Sequence, residues 1–592
     1  MIQEILKLAS SAEYDFRLTA CTQDPLRHLF DQWVPYYRLK WAVARVLQPQ
    51  RILEIGVRFG YSAATFLNAC PNATYLGIDN DSDTFGGHKG AIQWARHITQ
   101  EFNAEYLIAD SQDLTNFPAG PYDLIHLDGQ QDGAGFLQDL RKSLKQGKHI
   151  LVDGYFWTRE NFLHVSEFLY RYRDLIESVL IIPGFAGELL ITPQAALQIR
   201  GVVSSSAELI DTYTDSYYLQ NCGGFDAYKR DKGLQLADLR LQAVADLAGT
   251  APMGPALDLG CGRGEVSVHL ARMGREVLAV DYSESAIALA KGAGAENVHE
   301  LSKIRFHCGD VNDAPLSGLY EVAVASDLVE HMTPGELDRL YSRVASHLSP
   351  HGLFVVHTFP NNWFYKYEYA RRLREARKLG AHLPLEPRTR YEELMHINEQ
   401  SPRVLKHQLG SHFKYILLWF AAHDLVSPFE NLRRPFSKNE LRAAGDLFAL
   451  ASHSPIDTDT LLHQLAMHPV VTPIDLDFQL CEIPSTVQAG ARFLARVRLT
   501  NNSGVELKSR PPNPIHLSYH CYSENGQAVI FDGLRTRISV LKPGFTADSD
   551  MELVAPCAHG RFLFRVTLVQ EGVRWFDESP QSLLNDHWIE VN

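Results

Sequence analysis

Cysteine is sparse and follows no pairing pattern: the eight residues at 21, 70, 222, 261, 308, 481, 521 and 557 include no CxxC. That scatter gives no zinc-ligand spacing, and a chain this long has no need of disulfide staples. A reducing compartment, the cytoplasm, is therefore expected. Positive charge is also in deficit, with a formal net charge of −14. A general affinity for nucleic acid or anionic membrane needs a basic field, so both partner classes are excluded as expectations. The most basic stretch, residues 371–378, reads as the solvated face of a helix. No run of about 18 apolar residues exists to span a bilayer. The opening MIQEILKLASSAEYDF lacks the basic start and unbroken apolar run of a signal peptide.

What is present is ordinary folded-protein composition, 45% hydrophobic and 21% charged over 592 residues. That length exceeds a single core and implies two to four domains. Residues 1–200 alternate short apolar strands with helical segments. The strands are RILEIGV (51–57), TYLGID (74–79), AEYLIAD (104–110), YDLIHLD (122–128) and HILVDG (149–154), followed by the pair SVLIIPG and GELLITP around a glycine turn. Such alternation predicts a mostly parallel sheet covered on both faces. The same grammar restarts after residue 250 with ALDLGCG (256–262), EVLAVD (276–281), IRFHCGD (304–310), YEVAVASD (320–327) and GLFVVHTF (352–359). An aromatic, basic insertion at 360–400 interrupts it before YILLWFA (415–421) resumes the sheet. It lies near the carboxyl edge of the sheet, where open α/β folds bind ligands, and is expected to act as a lid or substrate-recognition element. From about 471 onward, apolar and polar residues alternate with period two between short turns, predicting a β-sandwich of about seven strands.

The segment ALDLGCGRGEVSVHLARMGREVLAVD carries the most chemical information. A strand runs into Gly260, Gly262 and Gly264 before a helix, where absent side chains let backbone approach a ligand. Asp281 ends the next strand, placed to accept the two hydroxyls of a ribose. A dinucleotide reading would need the third glycine of GxGxxG, but 265 is Glu and 266 is Val. Asp258 precedes the glycines, where it would repel a phosphate but attract an ammonium. A phosphate-free nucleoside with an amino-acid head fits that pattern better than a nicotinamide dinucleotide.

These residues resemble motif I of the class I S-adenosylmethionine-dependent methyltransferases, with a likeness extending over roughly 215–430. The resemblance implies that Asp281 and Tyr282 face the ribose, that Asp310 and Val311 flank the adenine, and that Asp327 through His331 border the reactive end. His331, His357 and His396 are the candidate general bases, since imidazole titrates near neutral pH. Cys261 is expected only to fill space at the turn.

The first repeat resembles the same class. LEIGVRFGYSAATFL supplies Glu54, Gly56 and Gly60, Asp79 stands at the ribose position, and IADSQDL supplies Asp110 and Ser111 for the adenine side. In the metal-dependent small-molecule O-methyltransferases that it resembles, carboxylates after the fourth and fifth strands hold a divalent cation that acidifies the acceptor hydroxyl. Asp128 and Asp153 match those positions, and Mg²⁺ is the implied ion. The second member of the later pair is Gly154, and the histidine often found three residues past the first Asp is Gln131.

The expected architecture is thus α/β: two Rossmann-like methyltransferase domains with seven-stranded, mostly parallel sheets at 1–200 and 201–470, and an all-β immunoglobulin-like sandwich at 471–592. S-adenosyl-L-methionine is the expected cofactor, and the acceptor a small molecule or glycan, foremost a sugar hydroxyl. The glycan leaning rests on the sandwich, which resembles appendages of bacterial surface-polysaccharide enzymes; Trp575, Phe576 and Tyr519 are its candidate sugar-stacking residues. Two other readings remain open: a natural-product methyltransferase, and a glycan-binding interaction protein whose first domain is a pseudo-enzyme.

Overall fold

The computed structural model describes residues 1–592 except 85, 131–132, 185, 195–204, 232–235, 237, 295–301, 422–427, 434–436, 471–474, 539 and 579–584. Gln131 lies outside the described residues. The chain forms two compact units: Met1–Val202 with Arg371–Arg390, and Val203–Ala370 with Tyr391–Asn592.

In the first unit, β1 (Arg51–Ile55), β2 (Thr74–Asp79), β3 (Asn103–Ile108), β4 (Tyr122–Leu127) and β5 (Gly147–Val152) run parallel; β6 (Ile176–Ile182) and β7 (Glu188–Pro193) close the edge. The order is β3-β2-β1-β4-β5-β7-β6, with β7 antiparallel to both neighbours. Both faces are buried, which is why these strands read as near-continuous apolar runs. Leu53, Ile125 and Ile150 pack into one core, and Ile52, Leu124 and Leu151 into the other. Strand order reverses between β1 and β4, and a crevice opens there at their carboxyl ends.

The second unit repeats this plan. Strands β8 (Ala256–Leu259), β9 (Val277–Asp281), β10 (Ile304–Cys308), β11 (Tyr320–Ser326) and β12 (Leu348–Thr358) are joined by β13 (Tyr415–Ala421) and β14 (Asp446–Ser452) in the order β10-β9-β8-β11-β12-β14-β13. The sequence reading misses β14: DLFALAS is buried at every position, and a short apolar run without alternation suits helix and strand alike. After β11 the chain is fixed by the helix Pro334–His347, which opens on a capping box between Thr333 and Glu336 with proline in its first turn. That cap sets where residues 327–331 stand.

The insertion departs from expectation. Residues 371–390 belong to the first unit, not the second. Arg171 donates to the carbonyls of Glu386 (3.2 Å) and Arg388, His382 pairs with Glu167 at 3.1 Å, and Leu385 joins a first-unit core. Arg371 pairs with Glu375 one turn on, in the solvated helix Ala370–Lys378.

The remainder of the second unit contains two largely antiparallel sheets. Leu476–Glu482, Arg492–Asn501 and Thr546–Val554 form one; Ile515–Ser523, Gly560–Gln570 and Asn585–Val591 carry the other, with four shorter strands at its margins. A single core holds Val497 and Leu553 of one sheet with Leu517, Phe564 and Ile589 of the other, so the sheets pack face to face as a sandwich. Among the described residues no helix is long and apolar enough to cross a membrane.

Candidate functional site

In the second unit the glycine turn after β8 adopts positive φ at Gly260 (68°), Gly262 (51°) and Gly264 (80°). Each glycine has a separate task. A side chain at Gly260 would strike Leu328, and one at Gly264 would stand 2.8 Å from Ala290 Cβ, where two helices meet. At Gly262 the nearest atom to an added Cβ would be Tyr218 Cε1 at 3.9 Å, so bare backbone faces the crevice there. Gly264→Ala is expected to destabilise the second unit by about 1–3 kcal/mol, from adverse φ and overpacking combined. A melting curve within experimental error of wild type would refute that account.

Asp281, ending β9, is fixed by backbone: Gly262 N–H donates to Oδ2 and Ser283 N–H to Oδ1, both at 2.9 Å. Burial pushes its carboxyl up to about 6. Tyr282 packs with Tyr213 at 5.1 Å between ring centroids. Asp310 is half-buried and caps its own turn by accepting from Asn312 N–H at 2.7 Å; Val311 is buried beside it. The amide side chain of Asn312 is buried with no hydrogen-bond partner on either atom. The turn therefore brings together a carboxylate, an apolar wall and a buried amide without a partner.

Asp258 is a correction. Strand alternation turns it to the side of the helix Glu265–Arg272, where it is 2% exposed and accepts from Ser267 Oγ at 2.5 Å. Burial raises it to about 6. It braces the turn from beneath and is not offered to a cofactor ammonium. Glu54 of the first unit repeats this: it is fully buried and bonded to His126 (2.8 Å), Ser62 and Tyr75.

The three candidate bases separate sharply. His357, on β12, is fully buried, with Nδ1 2.9 Å from Asp327 and Nε2 3.1 Å from Asp446. Burial alone would depress it, but Asp327 and Asp446 outweigh that and raise it to about 9. With both nitrogens engaged it is a structural cation, which corrects its assignment as a base. Asp327, at φ 52°, also pairs with Arg240 at 2.8 Å. Burial opposes its charge, yet Arg240 and His357 hold it well below the usual carboxylate range.

His331 Nδ1 lies 3.0 Å from the carbonyl of Met395, which requires Nδ1–H and leaves Nε2 as the acceptor nitrogen. Burial and the neighbouring His396 push it down to about 3, so it stays neutral. Its ring meets that of His396 at 4.8 Å, edge to face. Burial disfavours charge on His396, but Glu399 and Glu330 raise it overall. Glu330 is pushed up to about 7 by burial and Asp327. Donor atoms of Glu330, His331 and His396 lie within 4.8 Å of one another, a spacing that also suits a metal ion.

Several residues here carry no local sequence signal. Tyr213, Tyr217 and Tyr218 cover the turn in a cluster with Tyr282, Ala286 and Met395. Arg263, between the second and third glycines of GCGRG, is buried and donates to the carbonyls of Tyr218 (2.9 Å) and Gly223 (2.7 Å), tying that cover down. Only the aromatic density of DTYTDSYYLQ hinted at it.

The first unit has a matching crevice lined by Gly56, Arg58, Asp79, Asp110, Ser111 and Asp128. Gly56 (φ 86°) has no room for a side chain against the Asp128 carbonyl, nor Gly60 (φ 78°) against Ala95. Asp79 Oδ2 accepts from Val57 and Arg58 N–H at 2.8 and 2.9 Å, the counterpart of Asp281. Asp110 caps its turn through Gln112 N–H, while the Ser111 hydroxyl is turned inward to Asp139 at 2.7 Å. Asp128 and Asp153 follow the adjacent strands β4 and β5 and do converge, but the buried Lys40 ammonium stands 3.2 and 3.5 Å from them. Donor atoms of Glu54, His126 and Asp128 also lie within 4.8 Å of one another, as do those of His126, Asp153 and Glu188. The residues do not fit Mg²⁺: the position that a dication needs holds a fixed cation already.

Comparison with known proteins agrees with this duplication. Residues 53–155 and 256–352 each match a family described as methyltransferase domain. The ubiquinone biosynthesis O-methyltransferase of Bradyrhizobium diazoefficiens is 32% identical over 136 residues, 23% of this chain and 50% of that protein. The trans-aconitate 2-methyltransferase of Deinococcus radiodurans is 31% identical over 135 residues, 22% of this chain and 49% of its own length. The chain thus spans about half the length of these curated relatives. Among solved structures, the geranyl diphosphate C-methyltransferase of Streptomyces coelicolor A3(2) aligns at 16% identity, covering 39% of this chain and 82% of that one, with a TM-score of 0.27. Two sheets of one topology, two glycine turns each answered by a strand-end aspartate and two matching family segments lead to one statement: the chain carries two class I S-adenosylmethionine-dependent methyltransferase domains in tandem.

Proposed function

We propose that the second unit binds S-adenosyl-L-methionine and methylates a hydroxyl, foremost that of a sugar in a glycan or its precursor. The observation that carries the reading is Asp281, fixed at the end of β9 by the backbone of Gly262 and Ser283 while Gly262 leaves the turn bare, an arrangement that supports its role as the ribose-binding carboxylate. Bound there, the sulfonium supplies an activated methyl and departs as a neutral thioether. The chain's own work is positioning. His331, neutral and oriented through Met395, offers Nε2 to take the proton of the acceptor hydroxyl as its oxygen is methylated, and gives that proton up to solvent once the product has left. The tyrosine cover and the loop holding His396 exclude water from that end.

The sugar acceptor finds support in the sandwich, though from a reduced set of residues. Tyr519 and Phe576 are core residues, 1% and 5% exposed, which removes them as stacking platforms. Trp575 is half-buried and pairs with exposed Phe531 at 6.0 Å, beside Arg535. Eight unpaired cysteines support a reducing, cytoplasmic setting.

Calorimetry of the full chain with S-adenosylhomocysteine tests the reading. Asp281→Ala is expected to weaken binding about a hundredfold, by the loss of charge-assisted hydrogen bonds to the ribose. Asp79→Ala reports separately on the first unit. No binding by the wild-type chain at millimolar ligand ends the proposal.

A further inference from the structure

The first unit buries a lysine where the resemblance asks for a metal. Lys40 lies in the helix Phe30–Leu47 with its side chain 0% exposed. Its Nζ is 3.2 Å from Asp128 Oδ2 and 3.5 Å from Asp153 Oδ1, and it donates to the hydroxyl of Tyr36, one turn earlier. That hydroxyl donates in turn to Asp153 Oδ1 at 2.7 Å. The two aspartates follow Leu127 and Val152, which are paired in register between β4 and β5. The ammonium therefore bridges two neighbouring strand ends, donating to Tyr36 and Asp128 and standing within ion-pair range of Asp153.

A buried lysine without partners would give up its proton. This one has two carboxylates within 3.5 Å and the Tyr36 hydroxyl against it, the partners that a buried ammonium needs. The same carboxylates, with His126 between them, are what the strand ends would offer a divalent ion among the described residues. A dication bound to Asp128 and Asp153 would stand within a few ångströms of an ammonium that has no route to solvent, and like charges at that range repel strongly. The position of Gly154, which replaces a ligand found in the metal-dependent relatives, leaves the site poorer in oxygen donors as well.

We propose that the Lys40 ammonium is the resident cation of the first unit, a covalently tethered replacement for divalent metal at the Asp128–Asp153 pair. The consequence is a first-unit crevice whose acceptor end is electrostatically organised by protein alone and indifferent to chelators. The metal-exclusion claim concerns this cluster only and does not rest on the activity proposed for the second unit.

Mn²⁺ binding to the full chain, followed by the loss of the free-ion paramagnetic resonance signal, tests it. The relevant signal is the part of binding that Asp128→Asn removes, which sets aside any ion held at Glu330, His331 and His396. The wild-type chain is expected to show none at millimolar Mn²⁺. Lys40→Met, similar in length but uncharged, is expected to create an Asp128-dependent site at least tenfold tighter than any in wild type, with a Mn²⁺-dependent rise in melting temperature. Asp128-dependent binding by the wild-type chain overturns the proposal whether or not the variant folds. A folded Lys40→Met chain without such binding overturns it as well.

Discussion

Asp327→Ala is expected to lower the stability of the second unit by about 3 kcal/mol, the lower end of the cost of breaking a buried ion pair, because Arg240 keeps Asp238 and His357 keeps Asp446. The carboxylate stands between two cations, Arg240 at 2.8 Å and His357 at 2.9 Å, and its removal leaves both inside the fold. Denaturant unfolding followed by tryptophan fluorescence suits the measurement, because Trp419 stacks on Phe448, which touches the His357 ring. The same network has a pH signature. His357 is raised from 6.5 to about 9 in the folded protein. A group raised on folding stabilises fully below its unfolded value, and that contribution is lost as pH climbs through the folded value. The difference in stability between wild type and His357→Gln should therefore be largest below about pH 6.5 and shrink by about 3 kcal/mol toward pH 9 and above. A difference that stays flat from pH 6 to 10 would mean that His357 is not held as a cation.

Asp246→Ala should cost a similar amount, about 3–5 kcal/mol, for a related reason. Arg510 of the sandwich segment reaches Asp246 of the helix Leu239–Gly249 at 3.1 Å, and the two are 2% and 4% exposed. The guanidinium also lies over Phe429 at 5.4 Å, so nothing aqueous can take over when the carboxylate goes. Replacing both partners, as Asp246→Leu with Arg510→Met, should recover most of the loss, since a packed apolar pair avoids the desolvation that the ion pair has to offset. A double-mutant cycle on melting curves separates the pair term from the single costs. A loss below about 0.5 kcal/mol for Asp246→Ala would show that Arg510 finds another partner.

The parts of this protein that were legible in sequence are those encoded within one strand and one turn. β1, β2, β8 and β9 announce themselves because a parallel strand buried on both faces must be apolar throughout, and the glycines mark where the backbone has to turn left-handed. The aspartates ending β2 and β9 follow from the same logic. What escaped depends on partners distant along the chain. Nothing near His357 in sequence indicates that Asp446 and Asp327 will clasp it from either side, so an imidazole in a promising place was read as a base. Glu54 and Asp258 were misread because both faces of their strands are covered, and alternation cannot then say which side opens on the crevice. Lys40 was invisible for a third reason: in an amphipathic helix a lysine reads as surface, and only the carboxylates from β4 and β5 turn it inward.

The excursion of residues 371–390 has a consequence in time. During synthesis, the first unit's own sheet is complete by residue 193, but the segment that Arg171 and Glu167 hold is made about 190 residues later. At ribosomal rates on the order of 5–20 residues per second, that wait is about ten to forty seconds. Through it the first-unit core that Leu385 packs against lacks that side chain, while the strands of the second sheet are being made. Termination between the start of the second unit and residue 390 would thus leave both units incomplete at once, and a fragment cut at residue 202 would lack the 371–390 segment altogether.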